Sequence, residues 1–272
     1  MRVACLITIL GVAACGKDAA PPVASVVTIR ATDFAFAAPD TIPAGVTTLR
    51  LINAGPSLHH AQLLKLDSGK TMQDLGVAMQ NPNAPPPGWL KSVAGPNAVA
   101  PGDSSEIVVT LATGHYAIAC FIPDSTGKPH IALGMIRPLE VKGGNGPMVQ
   151  QVPMADVVVH LTDYAFSEPG PMHAGARTIE VINDGPQDHE MFMAKLDSGV
   201  TAQQLVDWVD HGMHGRPPAR PIGGVSGMAP GMHAFIMANL TPGTYGIFCF
   251  IPDAKDHKEH TAHGMLKQIT IS

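Results

Sequence analysis

Whole phrases of this chain recur 130 or 129 residues downstream, and that duplication constrains its fold more than any other feature. Thr32-Asp33-Phe34-Ala35-Phe36 returns as Thr162-Asp163-Tyr164-Ala165-Phe166, and Ile52-Asn53-Ala54-Gly55-Pro56 as Ile182-Asn183-Asp184-Gly185-Pro186. Lys65-Leu66-Asp67-Ser68-Gly69 returns as Lys195-Leu196-Asp197-Ser198-Gly199, and Cys120-Phe121-Ile122-Pro123-Asp124 as Cys249-Phe250-Ile251-Pro252-Asp253. The period is longer than that of solenoid repeats, so each copy is expected to be a complete domain with its own core. The boundaries this predicts are residues 25–143 and 154–272. Residues 144–153 form a linker in the Gly/Pro-rich run that starts at Gly143-Gly144-Asn145-Gly146-Pro147. The copies are expected to be stacked or loosely tethered.

Within each copy the pattern is that of short strands. Val26 to Arg30, Thr47 to Ile52, Glu106 to Leu111, His115 to Phe121 and Met135 to Val141 are β-rich and bounded by Gly or Pro, and the second copy follows suit. One short helix per copy is predicted over 71–79 and 201–209, with Thr71 and Thr201 as N-caps. A Pro-rich excursion follows in both, at 81–88 and 212–224. With 14% charged residues, 28 Gly and 25 Pro, the composition suits a turn-rich β protein. The expected class is all-β, two tandem β-sandwich domains with one short helix each. A net charge of −5 without any Lys/Arg run argues against a nucleic-acid partner.

Both copies carry one order of soft ligands. In the first these are His59, Cys120, His130 and Met135; in the second, His189, Cys249, His260 and Met265. Two imidazoles, a thiolate and a weak thioether are what a trigonal copper site with a long axial ligand requires. One copper ion per domain is the expectation. His60 stands beside His59, but adjacent strand residues face opposite sides, and the register pairs His59 with His189 while Glu190 replaces His60. His59 is therefore the expected ligand. Cys120 and Cys249 occupy equivalent points of two domains, so a disulfide between them is not expected.

Other His and Met residues are concentrated in the second copy. His211-Gly212-Met213-His214, the run from Met228 to His233, and His257 and His263 together could form a copper-loading surface. The favoured reading is plainer: Met191, Met193 and Met237 fill a core poor in aromatics, and the histidines are ordinary surface.

The N-terminus points to export. Arg2 precedes an apolar run, Val3 to Ala14, too short to span a bilayer, that ends in Val12-Ala13-Ala14-Cys15-Gly16. This resembles a bacterial lipoprotein leader, which implies a signal peptide over 1–14, acylation of Cys15 and a tether over 15–24. The implied place is the cell envelope, facing the periplasm, with Gly16 favouring the outer membrane.

The order Phe-x-Phe, Pro43-Ala44-Gly45, Asn-x-Gly, His, Pro101-Gly102 (Pro230-Gly231 in the second copy), Gly-x-Tyr, Cys, His-x4-Met resembles the cupredoxin, or plastocyanin/azurin-like, family. His173 stands where the second copy would have the first Pro. The resemblance implies a Greek-key sandwich in which one His comes from an inner strand and Cys, His and Met come from the loop joining the last two strands. It implies single-electron transfer with a redox partner protein; a copper-handling protein and a metal-free interaction module are the alternatives. Enzymes of this superfamily place a His beside the Cys to reach a catalytic copper. Here those neighbours are Ala119 and Phe121, and Phe248 and Phe250, so no enzymatic copper site is expected.

Overall fold

A computed structural model describes residues 25–81, 85–143, 151–168 and 170–272. The leader, Cys15, the tether and linker residues 144–150 lie outside the described residues. The N-terminal half comprises β1 (Ser25–Thr32), β2 (Ala35–Ala37), β3 (Thr41–Pro43), β4 (Gly45–Asn53), β5 (Gln62–Leu66), α1 (Met72–Ala78), β6 (Leu90–Ser92), β7 (Ser104–Leu111), β8 (Gly114–Ala119) and β9 (Ile136–Lys142). The C-terminal half comprises β10 (Val157–Thr162), β11 (Ala165–Phe166), β12 (Gly175–Asn183), β13 (His189–Leu196), α2 (Ala202–Asp210), β14 (Ala219–Met228), β15 (His233–Leu240), β16 (Gly243–Phe248) and β17 (Leu266–Ile271). A short 3-10 turn precedes the last strand of each half, at His130–Leu133 and His260–His263.

The strands form where apolar residues alternate. In β1, Val27, Ile29 and Ala31 face the core while Val26, Thr28 and Arg30 face solvent, as a half-buried strand requires. β1 pairs in parallel with β4, and β10 with β12, so in each half the second long strand lies beside the first by way of a crossover. One sheet of the N-terminal sandwich has the order β3-β9-β8-β5-β6, and the matching C-terminal sheet runs β14-β13-β16-β17. The chain thus passes from one sheet to another between β4 and β5 and between β7 and β8, and again between β12 and β13 and between β15 and β16, as in a Greek key. Both helices sit where expected. Thr71 accepts the Asp74 N–H and the Asp74 carboxylate accepts the Thr71 N–H; Thr201 and Gln204 form the same capping box.

The remaining sheet belongs to both halves. Its order is β11-β10-β12-β15-β7-β4-β1-β2, and it crosses between halves where Phe235, Ile236 and Met237 of β15 pair with Val108, Ile107 and Glu106 of β7. The largest buried cluster likewise runs through both halves, with Val93, Val99 and Ile107 meeting Val225, Met228 and Ile236. A separate core for each copy was the expectation; pairing of two otherwise open sheet edges joins them instead.

Two local readings need correction. The C-terminal excursion ends earlier than residue 224, because Ala219–Met228 is strand β14. Pro221 is tolerated there since β14 is the outer strand of its sheet. Met237 does not fill the core: it is 37% exposed on β15, where Ile236 takes the inward position, whereas Met191 and Met193 are fully buried.

Candidate metal centre

The first histidine of each site is held by what precedes it. Asn53 ends β4, and its side-chain amide donates to the carbonyls of Ser57 and Val99 while its Oδ1 accepts the Gly55 N–H. Asn183 does the same with Gln187, Met228 and Gly185. The turn carries each histidine into the interior, where His59 and His189 are both fully buried. The glycine leaves room for the ring: a Cβ on Gly185 would lie 2.5 Å from His189 Nε2, and one on Gly55 would lie 2.8 Å from His59 Nε2.

Asp33 and Asp163 set the tautomer. The Nε2–H of His59 donates to Asp33 Oδ1 at 2.6 Å, and that of His189 to Asp163 Oδ1 at 2.7 Å. Each Nδ1 therefore presents a lone pair to the interior, and His59 Nδ1 has no hydrogen-bond partner among the described residues. A carboxylate behind a histidine in this way fixes the ring and raises its basicity toward a metal. The Asp of the duplicated Thr-Asp-aromatic-Ala-Phe phrase is the sequence mark of this role.

The other donors arrive on the loop between the last two strands. Cys120 and Cys249 come one residue after β8 and β16, and His130 and His260 open the 3-10 turns. The loops are nine and ten residues long between Cys and His, yet they are closed by their own backbone. Asp124 N–H donates to Lys128 C=O and His130 N–H to Ile122 C=O; Asp253 with Lys258 and His260 with Ile251 repeat this. The second loop closes across one more residue, Asp253 to Lys258 against Asp124 to Lys128, and the residue before each lysine has a positive φ, 83° at Gly127 and 61° at His257. Met135 donates its N–H to His130 C=O and accepts the Cys120 N–H at its carbonyl, and Met265 does likewise with His260 and Cys249. Both methionines are fully buried.

The donor atoms converge. In the C-terminal site Cys249 Sγ lies 3.2 Å from His260 Nδ1 and 3.9 Å from His189 Nδ1, and the two Nδ1 atoms are 3.1 Å apart. In the N-terminal site Cys120 Sγ lies 3.5 Å from His130 Nδ1, and the donor atoms of His59, Cys120 and His130 all lie within 4.8 Å of one another. Two imidazoles, one sulfur and a buried thioether fit copper. Both sites gather the same His, Cys and His donors.

Burial sets the protonation of both sites. It pushes the Cys120 thiol up to about 12 and the Cys249 thiol well above its usual value. It lowers His59, His130 and His189, and brings His260 to about 4 with help from neighbouring His189. Cys249 Sγ also accepts the Glu190 N–H at 3.4 Å.

His60 does not join the donors. Its ring turns to the Phe121 N–H, which donates to Nε2 at 2.8 Å, and burial brings it down to about 3. Cys120 and Cys249 are free thiols. The His/Met-rich segments are dispersed: Met228 is fully buried, His233 pairs with Glu180, and His211 bonds the Asp207 carbonyl.

The outer faces of the two sites differ. The Phe34 ring lies 4.8 Å from His130. Its counterpart Tyr164 lies 5.2 Å from His260, stacks on His263 and donates to Asp253 Oδ2 at 2.5 Å. Asp256 adds a contact to His263 at 3.2 Å. The C-terminal mouth is thus polar and carries Asp256, where the N-terminal one carries Phe34.

No family model matches the chain, and no curated protein matches it. Among solved structures it is similar to dithionite-reduced auracyanin from the photosynthetic bacterium Roseiflexus castenholzii, at 24% identity over 44% of this chain and 99% of that one, TM-score 0.32. It is similar to auracyanin A, a "blue" copper protein from Chloroflexus aurantiacus, at 23% identity over 43% and 100% of the respective chains, TM-score 0.30. A blue copper oxidase from Nitrosomonas europaea matches at 15% identity over 91% of this chain and 85% of that one, TM-score 0.27. Among the described residues no helix is long and apolar enough to cross a membrane.

Proposed function

We propose that this protein carries single electrons through two type 1 copper sites, His59-Cys120-His130-Met135 and His189-Cys249-His260-Met265. The observation that carries the reading is the buried gathering of Cys249 Sγ and two imidazole Nδ1 atoms between 3.1 and 3.9 Å apart, with Met265 fully buried. A bound copper ion supplies a one-electron couple in such a His2Cys setting, and the same ligands serve both oxidation states. The chain's own part is to hold that ligand set still. Asp33 and Asp163 fix the first histidines, the backbone-braced loops fix Cys, His and Met, and the buried surroundings exclude water. A ligand set that does not rearrange suits electron transfer rather than bond chemistry, and the residues beside each Cys are apolar.

The Val12-Ala13-Ala14-Cys15-Gly16 pattern supports an exported protein held at the cell envelope by lipid on Cys15, with a redox protein as partner. The test is the visible spectrum of the protein without residues 1–15, titrated with Cu(II) beside C120S and C249S. Intense thiolate-to-copper absorption that saturates at about two equivalents and halves in each variant is expected. Absence of Cys-dependent absorption and copper retention would overturn the reading.

A further inference from the structure

His60 and Glu190 occupy matching positions beside the first ligands, differ in kind, and meet at the seam between the halves. Within its own half each performs the same task. His60 Nε2 accepts the Phe121 N–H at 2.8 Å, and Glu190 Oε1 accepts the Phe250 N–H at 2.9 Å. Both lead on to Asn97. Asn97 Nδ2 donates to Glu190 Oε2 at 2.9 Å, and Ala61 N–H, next in the chain to His60, donates at 3.0 Å to the C=O of Pro96, next in the chain to Asn97. Since Nε2 of His60 is an acceptor, its neutral ring carries its proton on the other nitrogen.

Asn97 is fixed in turn. Its Nδ2 also donates to Val225 C=O at 3.2 Å, and its Oδ1 accepts the Ala98 N–H at 2.7 Å. With both amide protons used and the oxygen accepting, the side chain has one orientation. Asn97 is 3% exposed, Glu190 7% and His60 9%. A seam that only had to adhere would be better built from apolar residues such as Val93, Val99, Val225 and Met228 around it, since burying an imidazole, an amide and a carboxylate costs free energy.

We propose that His60, Asn97 and Glu190 form an electron bridge between the two copper sites, running from Cys120 Sγ to Cys249 Sγ through covalent and hydrogen bonds alone. This rests on the reading that both sites hold copper. In the exchange the reduced centre of one half is oxidised by one electron and the oxidised centre of the other is reduced by that electron. No bond forms or breaks and no further reactant is required. Electronic coupling decays less steeply along bonded paths than across gaps between atoms, so a continuous buried path outranks the apolar contacts beside it.

The test compares reduction kinetics of the copper-loaded protein with C120S and C249S, each of which keeps one site. Hexaammineruthenium(II), a one-electron donor that becomes the ruthenium(III) complex, is cationic and is drawn to Asp256 at the C-terminal mouth, so the single-site forms react at different rates. With the bridge, the slow phase of the two-site protein is lost, because the slow site drains through the fast one; in N97L the slow phase returns. Decay equal to the sum of the two single-site decays, unaltered by N97L, would overturn the bridge while leaving the copper reading intact. Failure of the single-site forms to take up copper would instead overturn that reading. In the metal-free protein, amide exchange at Phe250 gives an independent measure: N97L and the milder E190Q should lower protection there, and unchanged protection would show that Asn97 does not hold the path together.

Discussion

The carboxylate of Asp163 accepts the Nε2–H of His189 at 2.7 Å and so turns a buried Nδ1 lone pair toward Cys249. Asp33 does the same for His59 at 2.6 Å. Removing such a partner typically costs 10- to 100-fold in metal affinity. D163A is therefore expected to weaken copper binding at the C-terminal site by about that factor and to spare the N-terminal site, and D33A the reverse. Competition titration against a copper chelator, read at each site in the C120S or C249S background, checks this. Equal affinities with and without the carboxylate would show that the histidines are positioned by packing alone.

The glycine of the Asn-x-Gly turn gives a second expectation. Gly185 lies so close that an added Cβ would stand 2.5 Å from His189 Nε2 and 2.7 Å from its Cδ2. G185A cannot keep the ring where Asp163 holds it, so the C-terminal absorption band should be lost or displaced. Overpacking of this kind costs about 1–3 kcal/mol. Unfolding followed by circular dichroism should show that loss of stability, while the N-terminal band remains. A variant with both bands intact would mean that the turn can open without disturbing the site.

These two expectations mark how far the sequence could be read. The ligand order, the choice of His59 over His60, both helix N-caps and the strand framework were legible, because each leaves a local pattern: a register, a periodicity, a Thr before a short apolar helix. The roles of Asp33 and Asp163 were not, since a carboxylate 26 residues before its histidine has no spacing rule. Asn97 was hidden for the same reason: its partner Glu190 lies 93 residues away in the other half. The joining of β7 to β15 depends on which sheet edges stay open after each half folds, which no short window of sequence records. Met237 was misplaced because composition suggests a core methionine, whereas alternation along β15 gives the inward position to Ile236.

Copper uptake should release protons in a predictable number. Burial raises Cys120 to about 12 and Cys249 well above its ordinary value, so at pH 7.5 both metal-free thiols are protonated. The same burial lowers His59, His130 and His189 below their usual value and His260 to about 4, so all four imidazoles are already neutral. Thiolate is the metal ligand, and each site should therefore expel about one proton on binding. The sign follows: a thiol that must lose its proton binds metal less well as pH falls, by about tenfold per pH unit while the imidazoles stay neutral. Calorimetric titrations in buffers of different ionisation enthalpy measure the proton count directly. A count near zero would mean that the metal-free thiols are already ionised.

The seam between the halves offers two substitutions of opposite consequence. Arg220 reaches across it to Asp103 with Nε at 3.0 Å and Nη2 at 2.6 Å, but the arginine side chain is 67% exposed. Exposed pairs contribute about 0–1 kcal/mol, so R220A should unfold within that margin of the parent protein. Gly95 makes a quieter contact. Its carbonyl accepts both the N–H and the Oγ–H of Ser226, and a Cβ at this position would lie 2.0 Å from the Ala61 carbonyl oxygen and 2.9 Å from Ser226 Oγ. Backbone on one side and a buried hydroxyl on the other leave nothing free to move aside, so G95A must part strand from strand. A loss of about 2–3 kcal/mol or more is expected, with weakened protection of the Ser226 amide. Denaturant unfolding of the two variants side by side decides it. Should R220A prove the more damaging, the halves would be held together by surface charge and not by the buried seam through which Asn97 runs.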